Sequence, residues 1–413
     1  MHQKILAHKT LLHNFSYLSA LQIINLLIPL ITYPYLIRAL GKETYGLVVF
    51  AQAIIGYLLI VVSFGFNVSA TQAVSVHRDN KEKLHEIVSS VLSIKIILFV
   101  FSFVLLFLLL FFIPNAQGYE ILFLFTMTIC FSDVLFPIWY FQGIEEMKYI
   151  TYITLTSRIV LLALIFILIK TPNDYLLVPI IYGISHLISG IIALYIIFNK
   201  HKIRFRFQTL KTLKYYLTDS FPLFISNLSV SLYVSTNKVI TGLFLGMEAV
   251  AYYDLAEKLT TVMKVPQSIL SQTLFPKISK DKNIGFVKRI FKLSLIFHVV
   301  FIFSVLLLSK HIILILGGVE MLPAQVVVNI LILTVPIIAM SNIFGYQILV
   351  PFGHKKTFSK VVVSSGLIYF IQILILWITV GFSIINISII TLTTEIFVSG
   401  YMFYNCKKFK LWI

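Results

Sequence analysis

The sequence consists mainly of long apolar stretches separated by short polar ones, and this pattern excludes a water-soluble fold. Hydrophobic residues make up 59% of the chain and charged residues 12%, whereas soluble domains use about 45–50% apolar residues. A helix needs about 20 mostly apolar residues to cross a membrane. Twelve stretches qualify, near residues 14–37, 45–73, 84–113, 119–141, 148–169, 175–198, 214–243, 249–275, 287–308, 326–351, 357–380 and 384–405. The sequence therefore predicts an all-α polytopic membrane protein with about twelve transmembrane helices.

The basic residues alternate between loops on the two sides of these predicted spans. With the N-terminus inside, 24 of the 33 lysines and arginines lie on the inner side and 4 on the outer side. This bias predicts a membrane protein with both termini in the cytoplasm. The net charge of +17 is thereby explained by topology, so nucleic acid is not an expected partner. Membrane lipids are expected partners of the basic stretch at 200–214.

The two halves of the chain are related. LGKETYGLVVFAQ, from Leu40 to Gln52, aligns with LGMEAVAYYDLAE, from Leu245 to Glu257. Each half holds six predicted spans, an even number, so both halves have the same orientation. We therefore predict two pseudo-symmetric six-helix bundles, at 1–205 and 206–413, with the substrate site between them.

Motifs for other chemistry are missing from the sequence. Cys130 and Cys406 form no metal or redox signature. No phosphate-binding glycine loop, HExxH motif or nucleophile elbow is present. We expect neither a metal site nor a cofactor, and we do not expect an enzyme.

Five segments in register resemble the Wzx O-antigen flippases. They are LIPLITYPYLIRALGKETYG from Leu27, FGFNVSATQ from Phe64, FPIWYFQGIEEMK from Phe136, TLFPKIS from Thr273 and TLTTE from Thr391. The likeness runs from about residue 14 to the C-terminus. It implies the architecture of the multidrug/oligosaccharidyl-lipid/polysaccharide exporters, in which two six-helix bundles form a central V-shaped cavity.

The resemblance also implies a substrate, an oligosaccharide repeat unit linked to undecaprenyl pyrophosphate. Such proteins lie in the bacterial inner (plasma) membrane and move it from the cytoplasmic to the periplasmic leaflet, and we expect alternating access. The glycan polymerase and the chain-length regulator of the same polymer are candidate partners. The chain reads STNKVITGLFLG from Ser235, whereas many members of the family it resembles carry an acidic residue near Asn237, so no ion-coupling role is carried over to this position.

Three cations are predicted near the middle of the membrane, where charge is costly and usually faces water, a ligand or a partner. Lys95, Arg158 and Lys264 each lie about ten residues into a predicted span, or about 15 Å deep. We hypothesise that they form a stepping path for the pyrophosphate, with Arg158 able to bind phosphate bidentately. The alternative is an internal ion pair with Asp133 or Glu395. Lys258 is four residues after Asp254, which can neutralise it, and Lys238 is close enough to a span end to reach the headgroups.

Six polar or aromatic side chains are candidate sugar contacts, through hydrogen bonds and ring stacking. They are Tyr35, Asn67, Thr71, Gln72, Trp139 and Gln142. The alternatives are an interfacial aromatic belt for Trp139 and an interhelical hydrogen bond for Asn67. His186 and Glu395 are candidates for ion coupling, unless they only bond neighbouring helices.

Two other functions remain open from the sequence. A multidrug exporter would share the fold, although it would favour an acidic cavity for cationic drugs. A membrane glycan polymerase would be expected to carry a large periplasmic loop, whereas no predicted outer loop exceeds about 18 residues.

Overall fold

The structure is a computed structural model that describes the backbone of residues 2–412. Some side chains lie outside the described residues, namely those at 1–15, 18, 19, 230, 233, 234, 272, 273, 276, 277 and 413. Three of these excluded positions, 273, 276 and 277, belong to the TLFPKIS segment. Within the described part the chain is helical and contains no strand. This agrees with a membrane environment, in which a helix satisfies its own backbone hydrogen bonds.

The described residues form sixteen α-helices. In chain order they are α1 His2–Leu40, α2 Lys42–Ser63, α3 Phe66–Val76, α4 Lys81–Phe112, α5 Glu120–Thr126, α6 Thr128–Leu135, α7 Ile138–Gly143, α8 Met147–Leu168, α9 Leu177–Tyr195, α10 Leu210–Leu245, α11 Met247–Asp281, α12 Ile284–Gly317, α13 Ala324–Ile332, α14 Thr334–Asn342, α15 Lys355–Thr379 and α16 Ile384–Lys408.

Helical segments occupy all twelve predicted spans, with ends that differ by several residues. Ten segments of the described chain are long and apolar enough to cross a membrane. The seventh and eighth predicted spans correspond to α10 and α11, which are 36 and 35 residues long but are not among those ten. The charged residues of α11 include Asp254 and Lys264.

The turn before the second helix of each half has the same backbone geometry. Gly41 precedes α2 with φ of 77°, and Gly246 precedes α11 with φ of 89°. Both values lie in the region that glycine adopts at little cost. These glycines are the matched LG positions of the internal repeat, which supports a structural relationship between the halves.

Three of the spans are interrupted. Phe64 and Gly65, with φ of 43° and 79°, separate α2 from α3. Met127 separates α5 from α6, and Pro137 follows the end of α6. A π-helical turn at Ile343–Leu349 continues α14, and such turns are frequent at functional sites.

The chain divides into two compact units. The first comprises Met1–Thr44 and Phe50–Leu228, and the second Tyr45–Val49 and Ser229–Ile413. The sequence-based boundary at 205/206 lies before α10, whereas this division lies within α10. Contacts explain the difference, because the first part of α10 carries Ser220, which lies 2.6 Å from Ser69 of α3 (Oγ to Oγ).

Each unit has its own hydrophobic core. In the first unit, Trp139, Tyr140 and Phe141 of α7 are buried among apolar residues of α3, α4 and α9. In the second unit, Phe344 and Ile348 of the π-helical turn are buried among residues of α15 and α16. The interrupted spans thus contribute central core residues to both units.

Candidate functional site

Arg158 is a cation in the middle of a membrane helix of the first unit. It lies on α8, which packs against α9, and the Ser185 hydroxyl of α9 donates a 2.7 Å hydrogen bond to the carbonyl oxygen of Ser157. Tyr182 and His186 of α9 are close enough to Arg158 to interact electrostatically. Among the described residues, no carboxylate lies within ion-pair distance of Arg158. Within the described residues, no acidic side chain therefore neutralises its charge.

Small residues allow α9 to approach its neighbours closely enough to position this group. A methyl group at Gly183 would lie 2.7 Å from the Thr128 hydroxyl oxygen of α6, and one at Gly190 would lie 2.5 Å from Cβ of Leu135. Close approach at small residues is typical of membrane helix packing. The backbone of α9, which carries His186 next to Arg158, is thereby held against α6.

Lys95 forms an ion pair with Asp133. This is one of the two alternatives that the sequence left open. Its ammonium lies 2.7 Å from the Asp133 carboxylate, and the Lys95 side chain is 1% exposed. The ammonium also donates a 2.6 Å hydrogen bond to the backbone carbonyl of Asp133. Pro137, four residues later, has no N–H for that carbonyl. Lys95 therefore satisfies both a carboxylate and a carbonyl that the helix leaves free.

Lys264 and Glu395 belong to the second unit, on α11 and α16. They interact electrostatically, and both side chains are partly buried. They form no ion pair within 4.0 Å in the described residues. The structure thus brings together the two groups that the sequence suggested as partners, without direct contact.

Four of the candidate sugar contacts lie near one another at one end of the first unit. The Thr71 hydroxyl is 3.4 Å from the Gln142 side-chain oxygen and donates a 2.7 Å bond to the Asn67 carbonyl. Gln72 is next in the chain and is exposed. We call this end, near Arg78, Lys148 and Lys200, the basic end of the first unit.

The two aromatic candidates, Tyr35 and Trp139, differ from these four. The Tyr35 hydroxyl donates a 2.6 Å hydrogen bond to the Ile169 carbonyl, just beyond the far end of the 22-residue α8, about 33 Å from its beginning at the basic end. The Trp139 side chain is 0% exposed and belongs to the core. The Tyr35 ring thus lies apart from the four polar candidates, whereas the Trp139 ring, on the same short helix as Gln142, is enclosed in the core.

A cluster of ions in the second unit was only partly predicted. Asp254 pairs with Lys258, as the four-residue spacing indicated. Lys238 lies 3.0 Å from Asp254 and also pairs with Glu257, so the headgroup interpretation of Lys238 is wrong in this structure. The Tyr45 hydroxyl donates a 2.7 Å bond to Asp254. Tyr45 is 209 residues away in sequence, and no local signal indicated this contact.

A second group that the sequence did not predict is a buried polar network of the second unit. The Ser294 hydroxyl donates a 2.7 Å bond to the Gln267 side-chain oxygen, and the Ser271 hydroxyl donates a 2.9 Å bond to the Asn342 side chain. His298 is 2% exposed, and its Nδ1 lies 2.6 Å from the Ser294 carbonyl. In the described residues, no group of three or more His, Cys, Asp or Glu side chains is arranged for a metal ion.

Comparison with known sequences identifies the family. Residues 11–282 match the family described as polysaccharide biosynthesis protein. The chain belongs to this family. Together with the apolar helices, this makes it a multi-pass membrane protein.

Two relatives carry the name "Putative O-antigen transporter". One, from Escherichia coli (strain K12), is 30% identical over 410 residues, covering 97% of this chain and 98% of the relative. The other, from Shigella dysenteriae, is 27% identical over 351 residues, covering 84% and 87%. The alignment with the Escherichia coli relative thus covers both chains nearly end to end.

Solved structures show the same fold at low sequence identity. The lipid II flippase MurJ in an inward closed conformation aligns with a TM-score of 0.76 at 18% identity, covering 95% of this chain and 87% of that one. An inward-facing multidrug resistance MATE family transporter of the MOP superfamily aligns with a TM-score of 0.73 at 15% identity, covering 94% and 95%. The predicted all-α exporter fold is therefore confirmed.

Proposed function

We propose that this protein flips an oligosaccharide repeat unit linked to undecaprenyl pyrophosphate across the bacterial inner membrane by alternating access. The substrate enters from the cytoplasmic leaflet and leaves in the periplasmic leaflet, and both termini are cytoplasmic. The names of the two O-antigen transporter relatives and the fold shared with a lipid II flippase support this proposal. The likeness to multidrug transporters concerns the fold alone.

Arg158 is the observation that favours an anionic substrate. A guanidinium at membrane depth is costly unless an anion or water compensates it, and in the described residues no carboxylate pairs with it. A pyrophosphate matches this requirement, because guanidinium binds phosphate oxygens bidentately. We therefore assign the phosphate contact to Arg158.

The other predicted cations have smaller parts in this proposal. Lys95 is neutralised by Asp133, so it can bind phosphate only if that pair opens. Lys264 is partly compensated by Glu395 and remains a second candidate for an anion. Among the candidates for ion coupling, His186 lies beside Arg158 and Glu395 beside Lys264, so each is placed to respond to substrate charge.

The sugar part of the substrate fits the polar group at the basic end of the first unit. Asn67, Thr71, Gln72 and Gln142 offer amide and hydroxyl groups, which suit sugar hydroxyls. The positive-inside distribution places this end at the cytoplasm, where the repeat unit is before transport. Tyr35 and Trp139 have no assigned contact in this arrangement.

The test is deletion of the gene in its source strain, followed by complementation with the wild type, Arg158→Ala or Arg158→Lys. We expect deletion to abolish the surface polymer while single repeat units accumulate on undecaprenyl pyrophosphate. Arg158→Ala should lower export about 10- to 100-fold, the loss expected from removing charged hydrogen bonds worth about 1.5–3 kcal/mol. Arg158→Lys should retain part of it, because the charge remains.

Arg289→Ala is the matched control, since Arg289 is exposed near the start of α12. Each variant must be present in the membrane at the wild-type amount. Unchanged surface glycan after deletion would exclude the flippase and direct attention to a drug-sensitivity profile. Full export by Arg158→Ala would remove the phosphate contact from the proposal. Single repeat units on the lipid A core after deletion would indicate a polymerase instead.

A further inference from the structure

A pocket opens at the basic end of the first unit, between α3, the start of α4 and the start of α10. Its volume is about 520 Å³, within the range of about 300–1,000 Å³ that is typical of small-molecule sites. All of its lining residues belong to the first unit. Arg158 is not among them, so this pocket is separate from the phosphate contact proposed above.

One wall of the pocket is held rigidly by polar contacts. The Glu86 carboxylate accepts a 3.2 Å hydrogen bond from the Tyr216 hydroxyl and a 2.8 Å bond from the Lys83 ammonium. Below it, Ser69 and Ser220 are hydrogen-bonded at 2.6 Å. These contacts join α3, α4 and α10, so the wall is formed before any ligand arrives.

The other lining groups point to a ligand rich in hydroxyls. Tyr215 is exposed and packs edge-on against Tyr216, with ring centroids 5.2 Å apart, which leaves its ring accessible for stacking. Gln72, Lys211 and Asp219 also line the pocket and are exposed. Together they offer an aromatic ring, an amide, an ammonium and a carboxylate.

The mixture of charges distinguishes this pocket from an anion or drug site. Glu86 and Asp219 are carboxylates, and they oppose an inorganic phosphate or an anionic lipid headgroup even though Lys83 and Lys211 are present. An apolar drug would leave these charged groups without partners. Sugar hydroxyls both donate and accept hydrogen bonds, so they satisfy carboxylates, amides and ammonium groups at once.

We infer that this pocket binds the sugar portion of the lipid-linked repeat unit on the cytoplasmic side before translocation. The inference rests on the proposed function, which supplies both the sugar and the side from which it arrives. It assigns Gln72 to this pocket and adds Lys211, Tyr215 and Asp219 as sugar contacts. The pocket selects the sugar, whereas Arg158 binds the pyrophosphate.

Labelling of single cysteines can test this binding directly, because Cys130 and Cys406 are both buried. Thr212 lines the pocket, whereas Thr218 is exposed on the same helix and is not a lining residue. Purified Thr212→Cys and Thr218→Cys proteins are treated with a water-soluble maleimide. Val76→Cys, at an exposed lining position with no assigned sugar contact, is a second reporter that does not depend on the accessibility of Thr212.

The probe is the oligosaccharide repeat unit released by acid from the strain's own lipid carrier. At a concentration of about twice its Kd, we expect labelling of Thr212→Cys and Val76→Cys to slow about threefold, because about one third of the sites stay free. Thr218→Cys should be unaffected. Adding Asp219→Asn to the Thr212→Cys protein should weaken the protection.

Inorganic pyrophosphate and phosphatidylglycerol vesicles are tested in the same labelling assay, to show whether a phosphate group or a lipid headgroup protects the reporters. The inference is overturned if the oligosaccharide does not protect the reporters, if it protects Thr218→Cys equally, or if pyrophosphate or phosphatidylglycerol protects them as well as the sugar does. Failure of the proposed flippase function and failure of the proposed sugar pocket give different results. Unchanged surface glycan after gene deletion rejects the flippase, whereas loss of surface glycan without sugar protection rejects only this pocket.

Discussion

Replacement of Asp254 by asparagine tests whether the ion cluster of the second unit stabilises the fold. The Asp254 side chain is 2% exposed and lies 3.0 Å from the Lys238 ammonium. It also pairs with Lys258. With Glu257, which pairs with Lys238, the cluster has two positive and two negative charges. The substitution leaves one uncompensated positive charge in a buried place.

The magnitude follows from these contacts. At an effective dielectric constant of about 20, charges about 3 Å apart attract by about 5.5 kcal/mol. Part of the cluster's stabilisation is retained in the variant, because Glu257 still faces Lys238 and the new amide still accepts a hydrogen bond from Tyr45. We expect a loss of about 3 kcal/mol, at the lower end of the range for breaking a buried pair. For a unit of this size that lowers Tm by about 6 °C or more.

The assay is thermal unfolding of the purified protein in detergent, measured beside two further variants. Asp281→Asn is the control, because Asp281 is an exposed acidic residue at the end of the same helix. Asp254→Asn combined with Lys258→Gln restores neutrality and should regain part of the lost Tm. The reasoning is refuted if Asp254→Asn melts like the wild type, or if the double variant is no more stable than the single one.

Two further predictions concern packing and pH. Gly46→Ala should lower Tm, because the added methyl group would overlap the backbone oxygen of Met247. Gly56→Ala on the same helix is the control: a methyl group there would have no atom within 4 Å, so the change should be neutral or stabilising. Equal Tm values for the two variants would contradict this. Burial lowers the pKa of His201 below its usual value, although Glu146 partly offsets the effect. The folded protein thus binds this proton less readily than the unfolded chain, so stability should fall as the pH drops below about 6.5. His201→Gln should flatten this decline in Tm relative to a His77→Gln control, and an unchanged pH profile would show that another group is responsible.

The sequence predicted the helices well because each one is determined locally. Apolar stretches define the spans in a membrane, and the matched Gly41 and Gly246 mark equivalent turns in the two halves. The pairing of Asp254 with Lys258 was also predictable, since four residues place both side chains on one face of a helix.

The contacts between distant parts of the chain could not be predicted in this way. Tyr45 reaches Asp254 only through tertiary packing, and the pocket near Lys211 combines three helices. Tyr35 lies near the end of α1, whereas Asn67 lies on α3, after α2 has crossed back. The predicted order of the spans could therefore have indicated their separation. Trp139 follows a break at Pro137 that divides a predicted continuous span into short helices, and its burial comes from packing against α3 and α4.

The contact between Lys95 and Asp133 changes how positive charge in the first unit should be counted. Proline removes a backbone donor inside a solvent that cannot replace it, and here an ammonium group takes the place that water would have in a soluble protein. The electrostatic attraction that the first unit offers to an anion at membrane depth is then that of one guanidinium rather than of two cations. The acidic side chain beside a break in a membrane helix thus sets the charge that remains available to the substrate.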